Sequence, residues 1–375
     1  MIQGDKIGLL WCTNCLSMST RPRIKFDERG FCNACVWAEK KRTLNWDHRH
    51  KELQDLLAKH RTNEGRFDCL VPVSGGKDGS YVAYNLRHKY GMNPLTVTVT
   101  PALPLALGEE NLKAFIGSGY NHISINPDPN AMRAMNRRGF IEMGFPYYGW
   151  LIAIQAAVLR IAVNFKIGLI FYGEDGEVEY GGSTETGKNP IYDVNYMKKV
   201  YLEGGYEKVL RSSGMPINKL YFFTFPGDVE LAGSKMEIAH WSYFENWDPY
   251  RNYLVAKEHC GLKEAEGSNV GTFTNFAQND QALYALHAYL MYLKFGFGRA
   301  NQDASVEVRR GAMDRQQAVN LVRLYDGQFP HEFLELYLDY YQITRDEFDA
   351  VLDRWVNREL FSKVNGIWKP LFTVQ

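Results

Sequence analysis

The sequence predicts an α/β fold: a parallel sheet with helices on both faces, preceded by a small zinc-binding module and followed by a helical C-terminal region. Three features carry that prediction. Four of the six cysteines fall between positions 12 and 35, short apolar or β-branched runs alternate with helical patterns from Phe67 to Tyr172, and helical periodicity returns after Asp280.

The N-terminal module and its linking helix occupy 1–60. Asn45–His60 puts Leu53, Leu56 and Leu57 on one stripe, and Arg61–Arg66 is a polar link. The α/β core is expected over 61–190. Phe67–Val73 is an apolar run ending in a glycine-rich loop, which reads as a buried strand, and a helix follows through Tyr81, Val82 and Leu86. Leu95–Thr100 is a β-branched second strand, Glu109–Ile116 a helix and His122–Ile125 a third strand. A helix over Trp150–Asn164 leads to a fourth strand, Ile167–Tyr172. In such sheets ligands bind beyond the carboxyl ends of the strands, so loops 74–80 and 173–187 are expected to share one site. The remaining region, 191–375, reads as an irregular aromatic-rich stretch to Asn279, then helices at 280–295, 315–325, 331–341 and 345–357.

Lys plus Arg and Asp plus Glu number 43 each, so the formal net charge is zero and no basic footprint for nucleic acid shows. The longest apolar run, Leu151–Phe165, is interrupted by Gln155 and Arg160 and reads as too short to span a bilayer. Met1–Lys6 has no signal-peptide pattern. A cytoplasmic protein with neither membrane nor nucleic acid as partner is expected.

Cys12-Thr13-Asn14-Cys15 and Cys32-Asn33-Ala34-Cys35 are two CxxC pairs with sixteen residues between them. That spacing fits a structural zinc closed by four thiolates, which leaves no position open for catalysis. On this reading the zinc holds a small domain together and says little about chemistry.

Ser74-Gly75-Gly76-Lys77-Asp78-Gly79-Ser80, between a strand and a helix, has the parts of a pyrophosphate cradle. Gly75 and Gly76 let the backbone approach the oxygens, helix N–H groups face the anion, and Lys77 adds a mobile charge. Ser74 and Ser80 offer hydroxyl donors, while Asp78 suits helix capping or magnesium. The glycine–lysine spacing is not that of Walker A. The loop resembles the PP-loop, SGGxDS, of ATP pyrophosphatases, which cleave ATP between the α and β phosphates and transfer AMP to a substrate oxygen. It departs at Gly79, where that loop has serine, with Ser80 one place later.

The zinc pair and the SGGKDGS loop stand with Tyr172-Gly173-Glu174-Asp175-Gly176-Glu177-Val178-Glu179-Tyr180-Gly181, Gly296-Phe297-Gly298-Arg299-Ala300 and Ala304–Gly311. Together they resemble the N-acetyl sugar amidotransferases, the group that includes the WbpG and PseA proteins of bacterial surface-sugar biosynthesis. The likeness runs from Cys12 to Gly327. It implies ATP- and magnesium-dependent conversion of an acetamido group on a sugar to an acetamidino group. It also implies separate partners resembling the glutaminase and cyclase subunits of imidazole glycerol phosphate synthase, which supply ammonia. Only Cys69 and Cys260 are left over as nucleophiles for a glutaminase, one in a predicted buried strand and one at a predicted helix end.

Lys77 and Asp78 are the catalytic candidates of the loop. Among Glu174, Asp175, Glu177 and Glu179, whose carboxylates suit magnesium or deprotonation of ammonium, Glu174 and Glu179 match the family motif and are the first choices. Arg299 and Arg309, with Arg310, suit a sugar carboxylate or a diphosphate, against the plainer reading that they pair with Asp303 or Glu307. Trp241, Tyr243, Phe244, Trp247 and Tyr250 read mainly as core, with room for one functional ring. The rival function is tRNA modification by thiolation or lysidine formation, against which the neutral charge stands. No residue decides which acetamido sugar is used.

Overall fold

The computed structural model describes residues 2–3, 8–62 and 65–375. The reading of Met1–Lys6 and the middle of the Arg61–Arg66 link fall largely outside these residues. Six strands form the central sheet: β1 Cys69–Pro72, β2 Pro94–Val99, β3 His122–Ile125, β4 Leu169–Tyr172, β5 Ile191–Tyr192 and β6 Glu237–His240, in the order β3-β2-β1-β4-β6-β5. All neighbours are parallel except the edge pair β5–β6. The four expected strands are present and in the expected direction. The sheet also reaches past residue 190 to collect β5 and β6, short runs without a clear period inside the stretch that reads as irregular.

Buried parallel strands carry apolar side chains on both faces, and the two faces build separate cores. Leu70, Leu95, Val97, Ile170 and Ile238 face one core, closed by helices α5 Pro129–Met143 and α6 Tyr148–Phe165. Cys69, Val71, Leu169, Phe171 and Ala239 face the other, closed by α2 Trp46–His60, α3 Lys77–Tyr84 and α4 Ala106–Gly117. The sequence reading passed over α5, although its ends are well marked. Asp128 caps it through the N–H groups of Asn130 and Ala131, Pro129 opens it, and Gly144 at φ +61° closes it.

α6 is longer than the apolar run suggested. Its 18 residues are enough by length and composition to cross a bilayer, but 67% of that span is buried within the protein, as a core helix would be.

Along the chain, β1 leads outward to β2 and β3, and the chain then returns to place β4 on the opposite side of β1. That reversal opens a crevice at the carboxyl ends of β1 and β4, where open α/β sheets bind ligands. The N-terminal module contributes α1 Asn33–Lys41; the short helix α7 Gly176–Tyr180 follows β4; and α8 Pro249–Cys260 packs on α3. The C-terminal region is helical as expected, beginning with α9 Leu283–Phe295 and α10 Arg299–Arg310. It ends in a small hairpin, Phe361–Val364 with Ile367–Pro370.

Trp241 follows β6 fully buried, edge-on to Phe171 at 5.3 Å between ring centres. Trp241→Ala is expected to cost about 3–5 kcal/mol through the cavity it leaves. A thermal midpoint unchanged from that of the unsubstituted protein would refute this packing.

Candidate active site

The loop after β1 is sunk so deeply that two of its glycines have no substitute. Gly75 sits at φ +81°, and a Cβ there would lie 2.4 Å from the Leu112 nitrogen on α4. At Gly79 a Cβ would lie 2.6 Å from the Pro72 carbonyl oxygen, because α3 starts directly against the end of its own strand. The departure from SGGxDS thus has a steric cause: in this backbone a serine does not fit at 79. Ser80, one place later, is fully buried, and its hydroxyl has no hydrogen-bond partner among the described residues.

Gly76 begins α3 and no side chain caps it, so the first N–H groups of the helix are left for a ligand. Lys77 is nearly buried, with its ammonium bonded to the Asp78 carboxylate, whose other oxygen accepts from Asn252 Nδ2 at 3.4 Å. A central cavity of about 270 Å3 opens here, lined by Ser74, Lys77, Asp78, Glu174, Asp280 and Arg299 among others.

The loop after β4 faces this cavity from across the switch point, as expected, and its first four acidic residues meet different partners. Glu174 turns inward and accepts from the Tyr180 hydroxyl at 2.9 and 3.0 Å and from Trp247 Nε1 at 3.3 Å. Burial, reinforced by the charge of Asp78, pushes its carboxyl up to about 7. Asp175 caps α7 through the N–H groups of Glu177 and Val178. Glu177 makes a two-pronged pair with Arg23 at 2.8 and 2.7 Å. Glu179, expected beside Glu174 as a catalytic group, has both oxygens engaged elsewhere: Trp37 Nε1 donates to one at 2.9 Å and Lys41 Nζ to the other at 2.7 Å.

Arg299 is the first residue of α10 rather than part of a loop. Gly296 at φ +80° ends α9, and the Asp326 carboxylate accepts from the N–H groups of Gly298 and Asn301, fixing the start of α10. The side chain of Arg299 pairs with Asp303 at 2.9 Å, as the plainer reading had it, yet it also lines the central cavity. Segment 262–281, which reads in sequence as irregular, lines the same cavity. It supplies Leu262, Phe276, Gln278 and Asp280, and is tied to α4 by both amide atoms of Asn111 on the Lys263 backbone. Asp280, pushed up to about 6 by burial, stands where a helix start was predicted, so an aspartate there reads as an ordinary cap and its second role is hidden.

Two further cavities adjoin the central one. An apolar cavity of about 410 Å3 lies along the ends of β1 and β2, lined by Val73, Val99, Leu112, Trp150 and Tyr172, and shares Ser74, Gly79, Gly108 and Asp280 with it. A third, of about 180 Å3, meets the central cavity at Glu174 and is lined by Lys41, Arg42, Trp247, Arg309 and Arg310. Arg310 pairs with Glu307 and with Asp248 at 3.1 Å. Arg309 reaches past this cavity, with Nη1 3.6 Å from Cys15 Sγ and Nη2 donating to the Glu179 carbonyl at 3.2 Å. Of the aromatic stretch, Trp241 and Phe244 are core and Trp247 is the ring that touches the site.

All four cysteines of the two CxxC pairs are buried, with their sulfurs within 4.8 Å of one another. Cys12 and Cys35 are 3.7 Å apart, as are Cys15 and Cys32. A tetrahedral shell with metal–sulfur bonds of ~2.3 Å puts sulfurs roughly 3.8 Å apart, so the four thiols are placed to bind one zinc ion. Donors already surround the cluster: Cys32 N–H to Cys12 at 3.2 Å, Ser17 N–H to Cys15 at 3.4 Å and Asn14 Nδ2 to Cys35 at 3.3 Å. Cys69 and Cys260 are both buried, and burial raises both thiols, Cys260 to about 11; neither has the exposed, low-pKa setting of a nucleophile.

Fold and site together define a mostly parallel α/β protein with a glycine-rich loop at its switch point and a four-cysteine module at its N-terminus. Residues 270–374 match the family profile described as LPS biosynthesis protein WbpG-like, C-terminal domain. The matched region contains Phe276, Gln278, Asp280 and Arg299, so it forms one wall of the central cavity. The chain is also similar to uncharacterized protein MJ1599 of Methanocaldococcus jannaschii, 29% identical over 89 residues, which are 24% of this chain. It spans about a third of the length of that curated relative, 32%.

Gly79→Ser, which would introduce the serine of the SGGxDS pattern, is expected to destabilise the protein by about 1–3 kcal/mol through overpacking. Ser80→Ala removes a hydroxyl that has no partner and is expected to change stability by less than about 1 kcal/mol. Thermal melts separate the two. A Gly79→Ser protein that melts like the unsubstituted one would contradict the steric reading.

Proposed function

We propose that this chain is an ATP-dependent amidotransferase that converts the acetamido group of a bacterial surface-polysaccharide sugar to an acetamidino group. The observation that carries the proposal is the position of Glu174, a carboxyl pushed up to about 7 at the meeting point of the anion cradle and the third cavity. In this reading the apolar cavity takes adenosine and the loop 74–80 takes the phosphates. The third cavity takes the sugar, with Arg309, Arg310 and Arg299 available to anionic groups.

The chemistry fits this layout. An amide oxygen is a very poor leaving group and must first become a phosphate ester. The acetamido oxygen attacks the α-phosphorus, and pyrophosphate departs toward Lys77 and the free N–H groups of α3. Ammonia then adds to the carbon of the O-adenylyl imidate, AMP leaves, and the surplus proton passes to Glu174 as carboxylate. Magnesium, which would neutralise charge on the departing pyrophosphate, fits the Asp78 carboxylate, leaving Glu174 free as the base. Zinc fits the four cysteines as a structural ion. With Cys69 and Cys260 buried, ammonia is expected from separate glutaminase and cyclase-like partners, in the cytoplasm where ATP is at hand.

Purified protein given magnesium-ATP, an ammonium salt and a panel of acetamido sugars should release AMP and return one sugar with its amide oxygen replaced by nitrogen, read by mass spectrometry. AMP release that requires tRNA and no sugar would overturn the proposal.

The pH dependence has a definite sign. The Glu174 carboxyl lies above its ordinary 4.5, so below about 7 it is mainly the acid and cannot accept a proton. Activity should therefore rise as pH passes about 7. The contribution of this group to stability runs the other way, being full below 4.5 and lost as pH climbs through about 7. Glu174→Gln should lower kcat by about 10²–10⁴-fold and remove the rise. A full rate in that variant would eliminate Glu174 as the base.

A further inference from the structure

We propose that the four-cysteine module is a working part of the active site, because it positions the loop that carries Glu174. The positioning residues lie on one face of α1. Asn33, Trp37 and Lys41 are spaced four apart, so they stack along a single stripe of the helix, and all three touch the loop after β4. Asn33 Nδ2 donates to the Gly182 carbonyl at 2.8 Å. Trp37 Nε1 and Lys41 Nζ hold the two oxygens of Glu179 at 2.9 and 2.7 Å.

The helix that presents this stripe begins at the second CxxC pair: Cys32 is its N-cap and Cys35 lies in its first turn. Two more links tie module to loop. Arg23 grips Glu177 with two hydrogen bonds, and Arg309 spans from Cys15 Sγ to the carbonyl of Glu179. The approach is close enough to need a glycine. Gly181 sits at φ +90°, and a Cβ there would stand 3.0 Å from Asn33 Oδ1 and 3.3 Å from the Ala34 Cβ.

The clasp reaches Glu174 through one short helix. Glu179 and Tyr180 are the last two residues of α7, and the Tyr180 hydroxyl is the donor shared by both oxygens of Glu174. Fixing Glu179 therefore fixes α7, and α7 sets the Tyr180 hydroxyl on Glu174. The Lys41–Glu179 pair is 11% and 13% exposed, so removing either partner leaves a largely buried charge unpaired and weakens the hold on the loop. The cysteine cluster organises the start of this chain of contacts. It is more than a brace for its own module.

This rests on the proposed function only in taking Glu174 as the reacting group; the clasp itself is a matter of contacts. The test uses the zinc-loaded protein and two variants, Lys41→Met and Trp37→Phe, with zinc content measured in each. Amide exchange of 174–187, read by mass spectrometry without substrate, should rise at least ~10-fold in Lys41→Met while zinc stays bound and exchange of β1 to β3 is unchanged. Trp37→Phe, which loses only the N–H, should show a smaller rise in the same segment. In turnover, Lys41→Met should lower kcat by about 10-fold or more and shift the pH midpoint, with KM for ATP within about twofold. The reversed pair, Lys41→Glu with Glu179→Lys, should recover protection that each single change loses.

Unchanged exchange and pH midpoint in a zinc-retaining Lys41→Met protein would overturn the proposal. Loosening of the loop in a protein that modifies no acetamido sugar would sustain the clasp and reject the reaction assigned to it.

Discussion

Backbone packed on backbone at the carboxyl end of β1 is the constraint on which the site depends. The chain leaves the strand, turns at Gly75 against the backbone of α4, and re-enters a helix at Lys77 whose Gly79 lies against the strand just left. Any side chain at either glycine would push the loop out of the crevice. On the other side of the switch point Gly173 plays a similar part, with room for no more than a tight Cβ at 3.2 Å from both Asp78 and Trp247. Because the contacts at Gly75 and Gly79 involve main chain, they hold the uncapped N-terminus of α3 beside the loop after β4 at one small cavity. The side chains that line it are then set by the sheet rather than by flexible loops.

Within that frame, the first carboxyl groups of one loop have different fates, and the difference lies in the partners. Glu177 and Glu179 meet cations, while Asp175, also buried, caps α7 and accepts from the Thr186 hydroxyl. Glu174 is buried in the cavity wall among neutral donors, the hydroxyl of Tyr180 and the indole of Trp247, with the charge of Asp78 nearby. Hydrogen bonds from neutral donors offset only part of the desolvation cost, so Glu174 is left near neutrality. A group with that property, in a cavity, is suited to exchanging protons at the pH of a cell.

The parts of this design visible in the sequence are those written in local pattern. The four strands from β1 to β4 show as apolar or β-branched runs, the anion loop as glycines between a strand and a helix, and the metal cluster as CxxC spacing. What stays hidden is written in partners far apart in the chain. Nothing near Glu179 announces that Lys41 and Trp37, about 140 positions earlier, occupy its oxygens, |i−j| being 138 and 142. β6 is four residues with no alternation, indistinguishable in sequence from the loops around it. Segment 262–281 has no periodicity at all, so its place on the wall of the cavity follows only from its ties to Asn111 and to the Leu103–Leu105 backbone. Arg309 stands out in sequence as a candidate for an anionic group, and its reach to a cysteine sulfur does not show there.

The three cavities also divide the chain by origin. The apolar cavity is built largely from the sheet core, whose geometry the glycines fix, and the central one draws on both that core and residues 262–299. The third draws Lys41 and Arg42 from the N-terminal module, Trp247 from the segment after β6, and Arg309 and Arg310 from the region that matches the WbpG-like profile. In the proposed reaction this separates activation by the nucleotide from recognition of the acceptor. Activation by a nucleotide needs only the cradle, Lys77 and Glu174, whereas recognition of an acceptor falls to side chains carried by the modules on either flank. Substitutions among those flanking residues can change which acceptor fits without disturbing the backbone contacts that hold the loop. The proposed reaction would also give the clasp a purpose: a module that swung freely would move Lys41 away from Glu179 and loosen the helix that carries Tyr180, the donor to Glu174.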